Sequence, residues 1–261
     1  RLIATLSARS VSYIDDPTNI DTRYERARVR QLLPALDAAG ITAAALATSA
    51  RRLGEAEAAL RYAEEQFTAT LALSYGNEVF ASFNRQAFRS GPALLGQRVL
   101  GRLIGRYGGA SQKPRLSEIE DLTARVRADG KCAATLGGAM ISSGSHFVRI
   151  WREAGRLDQP EIELLPGQSQ VWDQRFIVHR LLEATGSVKV RPLGAEDYLK
   201  IAGRLIRGRR PPARAAHALP SFWTATGLVA VPSLAPFAIA PEPPLEEAGC
   251  GIKVRALSAA Y

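Results

Sequence analysis

The pattern of apolar residues changes near Gly130, and this change constrains the fold more than any other feature of the chain. Before Gly130, apolar residues recur at helical spacing; after it, short β-compatible runs are separated by Gly, Pro and Ser. The change predicts an α+β fold with a helical N-terminal half and a mixed, β-rich C-terminal domain. We expect a connector region at 1–40, an α-helical domain at 41–129 and the β-rich domain at 130–261.

Three long amphipathic helices are predicted in the first half. One begins after Pro92, and another spans Ser117–Asp129. The longest covers residues 43–74, and its seven-residue spacing of apolar side chains predicts a core stripe. That stripe consists of Leu46, Leu53, Leu60 and Phe67.

Five runs in the second half are β-compatible. They are Cys132–Leu136, His146–Trp151, Val171–Val178, Val188–Val190 and Leu228–Val231. Helical patches at Phe176–Ala184 and Ala195–Ile206 interrupt them. The pairs Gly108–Gly109 and Gly137–Gly138 are expected to be turns, and the Pro-rich run Pro236–Pro244 is expected to be a loop.

The net charge of +9 comes from 34 basic and 25 acidic residues, and it favours a polyanionic partner unless it reflects genome composition. No apolar run approaches the ~18 residues of a membrane span. Cys132 and Cys250 are expected to be buried thiols, as in a reducing cytoplasm. His146, His179 and His217 lack ligand-spaced partners, so no metal site is expected.

Residues 15–34 combine a turn with the start of a helix. Asp, Pro, Thr and Asn form the turn, and Thr18 or Asp21 is placed to cap the helix. At 100° per residue, Arg23, Arg26 and Arg30 share one side, beside an apolar stripe that is expected to pack. That stripe contains Val29, Leu32, Leu33 and Leu36. From the residues alone, the favoured interpretation is a surface helix whose arginines are solvated or paired with acidic neighbours.

The order of residues in 15–34 resembles the signature that follows the catalytic domain of tRNA(Ile)-lysidine synthases. It reads Asp-Asp-Pro-Thr-Asn-x-Asp, an aromatic residue, Arg-x-x-Val-Arg and a closing Leu-Pro. Trp172–Phe176 is similar to the family's Trp-Asp-Gly-Arg-Phe element, with Gln174 in place of Gly. Arg152–Glu153 and the apolar-Pro sequences near residues 220 and 232 also resemble family elements.

The resemblance implies a ligase that adenylates the wobble cytidine of tRNA(Ile) with ATP and Mg²⁺, after which free lysine displaces AMP. Its ATP site belongs to an N-terminal domain with a Ser-Gly-Gly-x-Asp-Ser loop, a motif that this sequence lacks. The chain also begins at Arg1 without an initiator Met or signal peptide. We therefore expect a cytoplasmic, non-membrane fragment that adjoins this domain through residues 1–40 and is inactive alone. Whether it forms a homodimer stays open.

The resemblance makes the residues of the 15–34 segment candidates for substrate binding, although capping is an alternative role for the acidic ones. These candidates are Asp16, Asn19, Asp21, Arg26 and Arg30. Cationic faces elsewhere are candidate tRNA phosphate contacts, or alternatively solvated surface. They are Arg98, Arg102, Arg106, Arg175, Arg207, Arg209 and Arg210, with Arg204 and Arg214 beside the last three. Trp172 is interpreted as a core anchor rather than a base-stacking platform. The alternative function is a non-catalytic, basic RNA-binding or adaptor module.

Overall fold

The structure, a computed structural model, describes residues 2–12, 18, 21–76, 78–109, 113–156, 161–240, 244–245 and 251–257. Its internal contacts divide the chain into two compact units, Arg1–Arg61 and Tyr62–Tyr261. In the described part of the chain, no single helix is long and apolar enough to cross a membrane. Glu25–Ala38 and Ala43–Thr70 satisfy that criterion only as a pair, with a bend of 105° between them.

The first unit is helical. It contains α1 (Leu2–Ala8), α2 (Glu25–Ala38) and the beginning of α3 (Ala43–Thr70). The prediction of a core stripe along α3 is wrong for its first half, since Leu46 and Leu53 are exposed and only Phe67, in the second unit, is deeply buried. Helical periodicity identifies a face that is able to pack, but it does not provide a partner for that face.

The second unit begins with an antiparallel five-stranded sheet in the order β1-β2-β5-β4-β3. Helices α4 to α6 pack with this sheet around an apolar core that includes the α5 stripe Leu95, Val99, Leu103 and Tyr107. The elements are β1 (Ser74–Gly76), β2 (Phe80–Asn84), α4 (Arg85–Ser90), α5 (Ala93–Gly108), α6 (Leu116–Arg127), β3 (Cys132–Leu136), β4 (Ala139–Ser143) and β5 (Phe147–Arg152). Strands from both sides of residue 130 therefore share one sheet.

A second core lies between a four-stranded sheet, β11-β10-β9-β6, and a three-stranded sheet, β12-β8-β7. All pairs in both sheets are antiparallel. The elements are β6 (Ile162–Leu164), β7 (Ser169–Trp172), β8 (Phe176–Arg180), β9 (Val188–Pro192), α7 (Gly194–Ala202), α8 (Ala213–His217), β10 (Pro220–Thr224), β11 (Gly227–Ala230) and β12 (Ile252–Ala256). Short 3-10 helices cover Ala154–Arg156 and Pro232–Phe237.

The structure confirms the predicted α+β class and most of the predicted elements. The expected helical patch at Phe176–Ala184 is wrong, because Phe176–Arg180 forms strand β8 between β7 and β12. Burial along β8 alternates with the period of two that a strand requires. The pair Gly137–Gly138 forms the turn between β3 and β4, as predicted. The prediction of a turn at Gly108–Gly109 is wrong for Gly108, which is the last residue of α5, while Gly109 ends that helix with φ 60°. Cys132 is buried, whereas Cys250 lies outside the described residues.

Candidate nucleic-acid interface

The predicted substrate-binding segment is described only in part, because Asp16 and Asn19 lie outside the described residues. Asp21 lies in the turn before α2, and its carboxylate accepts hydrogen bonds from the backbone N–H and the guanidinium of Arg23. The side-chain bond with Arg23 lowers the pKa of Asp21. The N-cap residue of α2 is Tyr24. Asp21 therefore stabilises the turn that leads into the helix and does not cap the helix itself.

Arg26 and Arg30 are exposed on α2, and the Arg26 guanidinium lies 5.5 Å from the ring centroid of Tyr24. The neighbouring apolar side chains Val29 and Leu32 are also exposed, by 49% and 58%. The apolar stripe beside the arginines was expected to pack, but Val29 and Leu32 do not pack. Both kinds of side chain are accessible to a partner.

The arginines of the stripe on α5, Arg98, Arg102 and Arg106, form ion pairs with carboxylates of the same unit. Arg98 Nε donates to Glu64 at 2.9 Å, and Arg102 Nη1 lies 3.2 Å from the same carboxylate. Arg106 forms an ion pair with Glu78, which raises the pKa of Arg106. All three guanidinium groups are thus part of internal contacts between α5, α3 and the β1–β2 turn. An RNA phosphate would have to compete with these carboxylates, a condition that helical spacing alone does not reveal.

Arg175 lies inside the second unit and is 5% exposed, so the prediction that it contacts tRNA from the surface is wrong. Its Nε donates to Asp173 at 2.8 Å, and its Nη2 donates to the carbonyl of Ala218 at 2.8 Å. Arg152 donates to both oxygens of the same aspartate, with its shortest bond at 2.7 Å. Burial lowers the pKa of Arg175 despite the attraction of Asp173. The three side chains form a buried ion cluster between β5 and the β7–β8 turn.

The β7–β8 turn contains the Trp-Asp-Gln-Arg-Phe sequence. Trp172 is fully buried, as predicted for a core anchor. Asp173 and Gln174 have φ values of 50° and 53°, and Arg175 donates its backbone N–H across the turn to Trp172. Asp tolerates the left-handed region better than Gln does, because its short side chain hydrogen-bonds locally. Glycine is free of the steric cost at position 174.

Replacing Gln174 with glycine is expected to raise the free energy of unfolding by about 0.5–1 kcal/mol, because glycine removes the left-handed strain at this position. Urea unfolding followed by tryptophan fluorescence measures the change. Gln170→Gly in strand β7 is the matched control, and we expect it to destabilise by about 0.5–1 kcal/mol. Equal losses in both variants would contradict the strain at Gln174.

The stretch that follows α7 and extends into the first residues of α8 carries the densest exposed positive charge in the described part of the second unit. We call residues 203–214 the arginine segment. Its backbone is held in place, since Ile206 donates to the carbonyl of Phe237 and Ile239 donates to that of Arg204, at 2.9 and 2.8 Å. The exposed arginines are Arg204, Arg207, Arg209, Arg210 and Arg214.

No acidic residue occurs in residues 198–240, which carry Lys200 and the five arginines of the arginine segment. This stretch therefore has a charge of +6, against +9 for the whole chain. Charge counted over each half of the chain conceals this concentration, because acidic residues elsewhere in the second half offset it. Net charge counted over stretches shorter than half the chain identifies the segment from the sequence.

Two of the three histidines make side-chain contacts, whereas His146 is exposed. His179 Nδ1 lies 2.6 Å from Ser169 Oγ, and His217 makes an edge contact with the ring of Tyr198. Burial lowers the pKa of His217. Among the described residues, no group of three or more His, Cys, Asp or Glu side chains is arranged to hold a metal ion.

Two further arginines acquire specific roles that the sequence pattern did not indicate. Arg85 is buried and donates to the carbonyls of Val126, Ala128 and Gly144. Arg191 lies over the ring of Trp223, with its Cζ atom 3.9 Å from the ring centroid. Neither arginine lies in a cationic stripe or a family motif, which is why sequence reasoning missed them.

No protein-family model matches the chain. Curated relatives, by contrast, cover much of it. A tRNA(Ile)-lysidine synthase of Ruegeria pomeroyi is 30% identical over 227 residues, which are 87% of this chain and 51% of the relative. One of Methylobacterium nodulans is 36% identical over 56% of this chain and 45% of the relative. One of Brucella melitensis biotype 1 is 31% identical over 78% and 46%.

The chain spans about half the length of the curated relatives that it matches. The matches agree in name, and the longest of them extends over most of the two units. They also agree with the resemblance seen in residues 15–34 and 172–176. The chain therefore belongs to the tRNA(Ile)-lysidine synthase family, as a sequence that covers about half of its relatives' length.

Proposed function

We propose that this chain is the tRNA-binding and substrate-positioning part of a cytoplasmic ligase that converts the wobble cytidine of tRNA(Ile) to lysidine with ATP and lysine. The relatives' names support the reaction class. In this proposal, ATP with Mg²⁺ binds to a part of the enzyme outside this sequence, and the chain alone is inactive. The chain's own contribution is to hold the RNA and to complete the site for lysine and adenylate.

The exposure of the arginine segment is the main observation that supports the tRNA-binding role. Guanidinium groups bind phosphate oxygens with two parallel N–H bonds, and release of counterions from the RNA makes such contacts favourable at low salt. Arg207 and Arg209 are exposed at the turn of the segment, whose backbone is fixed by the bond from Arg209 N–H to the carbonyl of Ile206. A fixed backbone limits the entropy lost when RNA binds.

Arg26 and Arg30 are assigned to the substrate site in this proposal. Both are exposed cations that are suited to a lysine carboxylate, an adenylate or a tRNA phosphate. Asp21 supports them indirectly, because its carboxylate already binds Arg23 and holds the turn before α2. Asp16 and Asn19 complete the assignment on the strength of the family resemblance alone.

The 261-residue chain is expected to bind a tRNA(Ile) transcript with an affinity that falls steeply with salt. Replacing both Arg207 and Arg209 with Gln should reduce the slope of log affinity against log salt by about 2, one unit for each lost phosphate contact. Titrations at several salt concentrations measure this slope.

Arg149→Gln is the matched control, because Arg149 is an exposed arginine on β5 of the same unit. It should leave the slope nearly unchanged. Binding that is insensitive to salt, or an equal loss in the control and the double variant, would contradict the role of the arginine segment.

A further inference from the structure

Trp223 differs from the other two tryptophans of the chain. Trp151 and Trp172 belong to the second core, whereas Trp223 is partly exposed on β10 and is absent from both core clusters of the described residues. Its indole N–H donates to Ser221 Oγ at 2.9 Å, and that hydroxyl donates to the carbonyl of Arg191 at 2.7 Å. The ring is therefore held in a defined orientation without being a core residue.

Arg191 is held against this ring. Antiparallel pairing of β9 with β10 places Arg191 opposite Ser221 and Lys189 opposite Trp223. The side chains of Arg191 and Trp223 are therefore diagonal neighbours on adjacent strands. The Arg191 Cζ atom lies 3.9 Å from the indole ring centroid, and its Nη2 binds Asp197 at 3.0 Å. About a third of the Arg191 side chain, 36%, remains exposed. The result is a planar guanidinium fixed by an aromatic ring and a carboxylate.

We propose that Arg191 and Trp223 form a stacking platform for an unpaired RNA base. Single-stranded bases stack on aromatic rings and on arginine guanidinium planes. Here the ring supports the guanidinium on one face, so a base would stack on the outer face of the guanidinium. This inference rests on the proposed RNA-binding function and adds to it the class of nucleotide that is bound. Bases inside a duplex are excluded, because both of their faces are already covered by neighbouring base pairs.

The charges around the platform favour a base over a phosphate. Arg191 and Lys200 both bind Asp197, and Lys189 binds Glu161 at 2.8 Å. These pairs neutralise much of the local positive charge, whereas stacking requires only an accessible planar surface. Phosphates are expected to bind instead at the arginine segment, which begins directly after α7.

A short stretch of α7 connects the platform to the arginine segment. Helix α7 begins near the platform, where Asp197 binds Arg191, and ends just before Arg204. From Asp197 to its last residue, Ala202, this helix rises only about 8 Å at ~1.5 Å per residue. One RNA can therefore place an unpaired base on the platform and its neighbouring phosphates at the arginine segment.

Two RNA hairpins test this inference on the 261-residue chain; in both, a non-nucleotide linker replaces the loop so that no loop base is unpaired, and they differ only in a four-nucleotide 3′ overhang. The overhang should strengthen binding of the unmodified protein. Trp223→Leu, which removes the ring, and Arg191→Lys, which keeps the charge but removes the plane, should each reduce that advantage about fivefold or more. Trp223→Phe should retain most of it, and affinity for the blunt hairpin should change little in all three variants.

An overhang advantage that survives in both Trp223→Leu and Arg191→Lys would overturn the platform. Equal weakening of blunt and overhang RNA would overturn it too, because stacking on an unpaired base affects only one of them. In either case, the proposed function stands if the Arg207 and Arg209 double variant still loses affinity for the blunt hairpin. If the unmodified chain binds neither RNA at low salt, the proposed function fails and the platform with it. Arg191→Lys keeps the test valid should Trp223→Leu unfold.

Discussion

Replacing Asp173 with asparagine should lower the free energy of unfolding by about 3–5 kcal/mol, a large share of the ~5–15 kcal/mol that stabilises a typical domain. Asp173 is the carboxylate between Arg152 and Arg175, and all three side chains are at most 4% exposed. Asparagine preserves the shape of the side chain but removes the negative charge. Two guanidinium groups would then lie close together in the interior, without the carboxylate that binds both of them.

Denaturant unfolding followed by tryptophan fluorescence measures this loss, with Asp129→Asn as the control. Asp129 also binds an arginine, but its side chain is 95% exposed, so its pair should contribute less than about 1 kcal/mol. Adding Arg175→Met to Asp173→Asn should recover part of the stability, because one unpaired charge leaves the interior. A loss below about 1 kcal/mol for Asp173→Asn would contradict the ion cluster.

Arg85→Met should destabilise the protein by about 3 kcal/mol, since one buried carbonyl would lose its partner at a cost of ~1–3 kcal/mol and two partly buried carbonyls would lose a charged donor. Two of these carbonyls, Val126 and Ala128, lie at the C-terminal end of α6, where helical carbonyls lack partners within the helix. The third belongs to Gly144, in the β4–β5 turn. Methionine keeps the apolar stem and removes only the guanidinium.

Arg89→Met is the matched control for Arg85→Met. Arg89 lies one turn later on α4 and binds the exposed carboxylate of Asp129, a pair expected to contribute less than about 1 kcal/mol. Hydrogen exchange should also show faster opening of the last turn of α6 in Arg85→Met alone. Similar stability losses for both variants would show that the three carbonyls do not depend on Arg85.

The spacing of apolar residues predicted those helices and strands that can be recognised from their own segment of the sequence. Helix α5 begins directly after Pro92, as expected, α6 begins one residue before the predicted Ser117, and β3 has the predicted bounds. The strand β8 was predicted in part as a helix, because its alternation extends over only five residues and is visible only beside its partners β7 and β12. Register and partner choice arise from tertiary pairing, which a single segment does not encode.

The roles of the arginines were harder to predict, since charge and spacing do not specify a partner. Arg98 and Arg106 form a regular stripe, yet they bind Glu64 and Glu78 from distant parts of the chain. Arg175 belongs to a recognisable motif but is buried within the ion cluster. The arginines of the arginine segment are exposed, and its Gly and Pro residues indicate the turn in its backbone.

The concentration of charge in residues 198–240 also affects the approach of a polyanion before any contact is made. A protein that carries +6 of its +9 charge within one stretch has an uneven electric field around it. Such a field accelerates diffusional encounter and favours collisions in which the charged side faces the polyanion. The field thus favours productive orientations before the two molecules touch. Added salt screens this field, so it should slow association at concentrations that leave the geometry of the bound state unchanged.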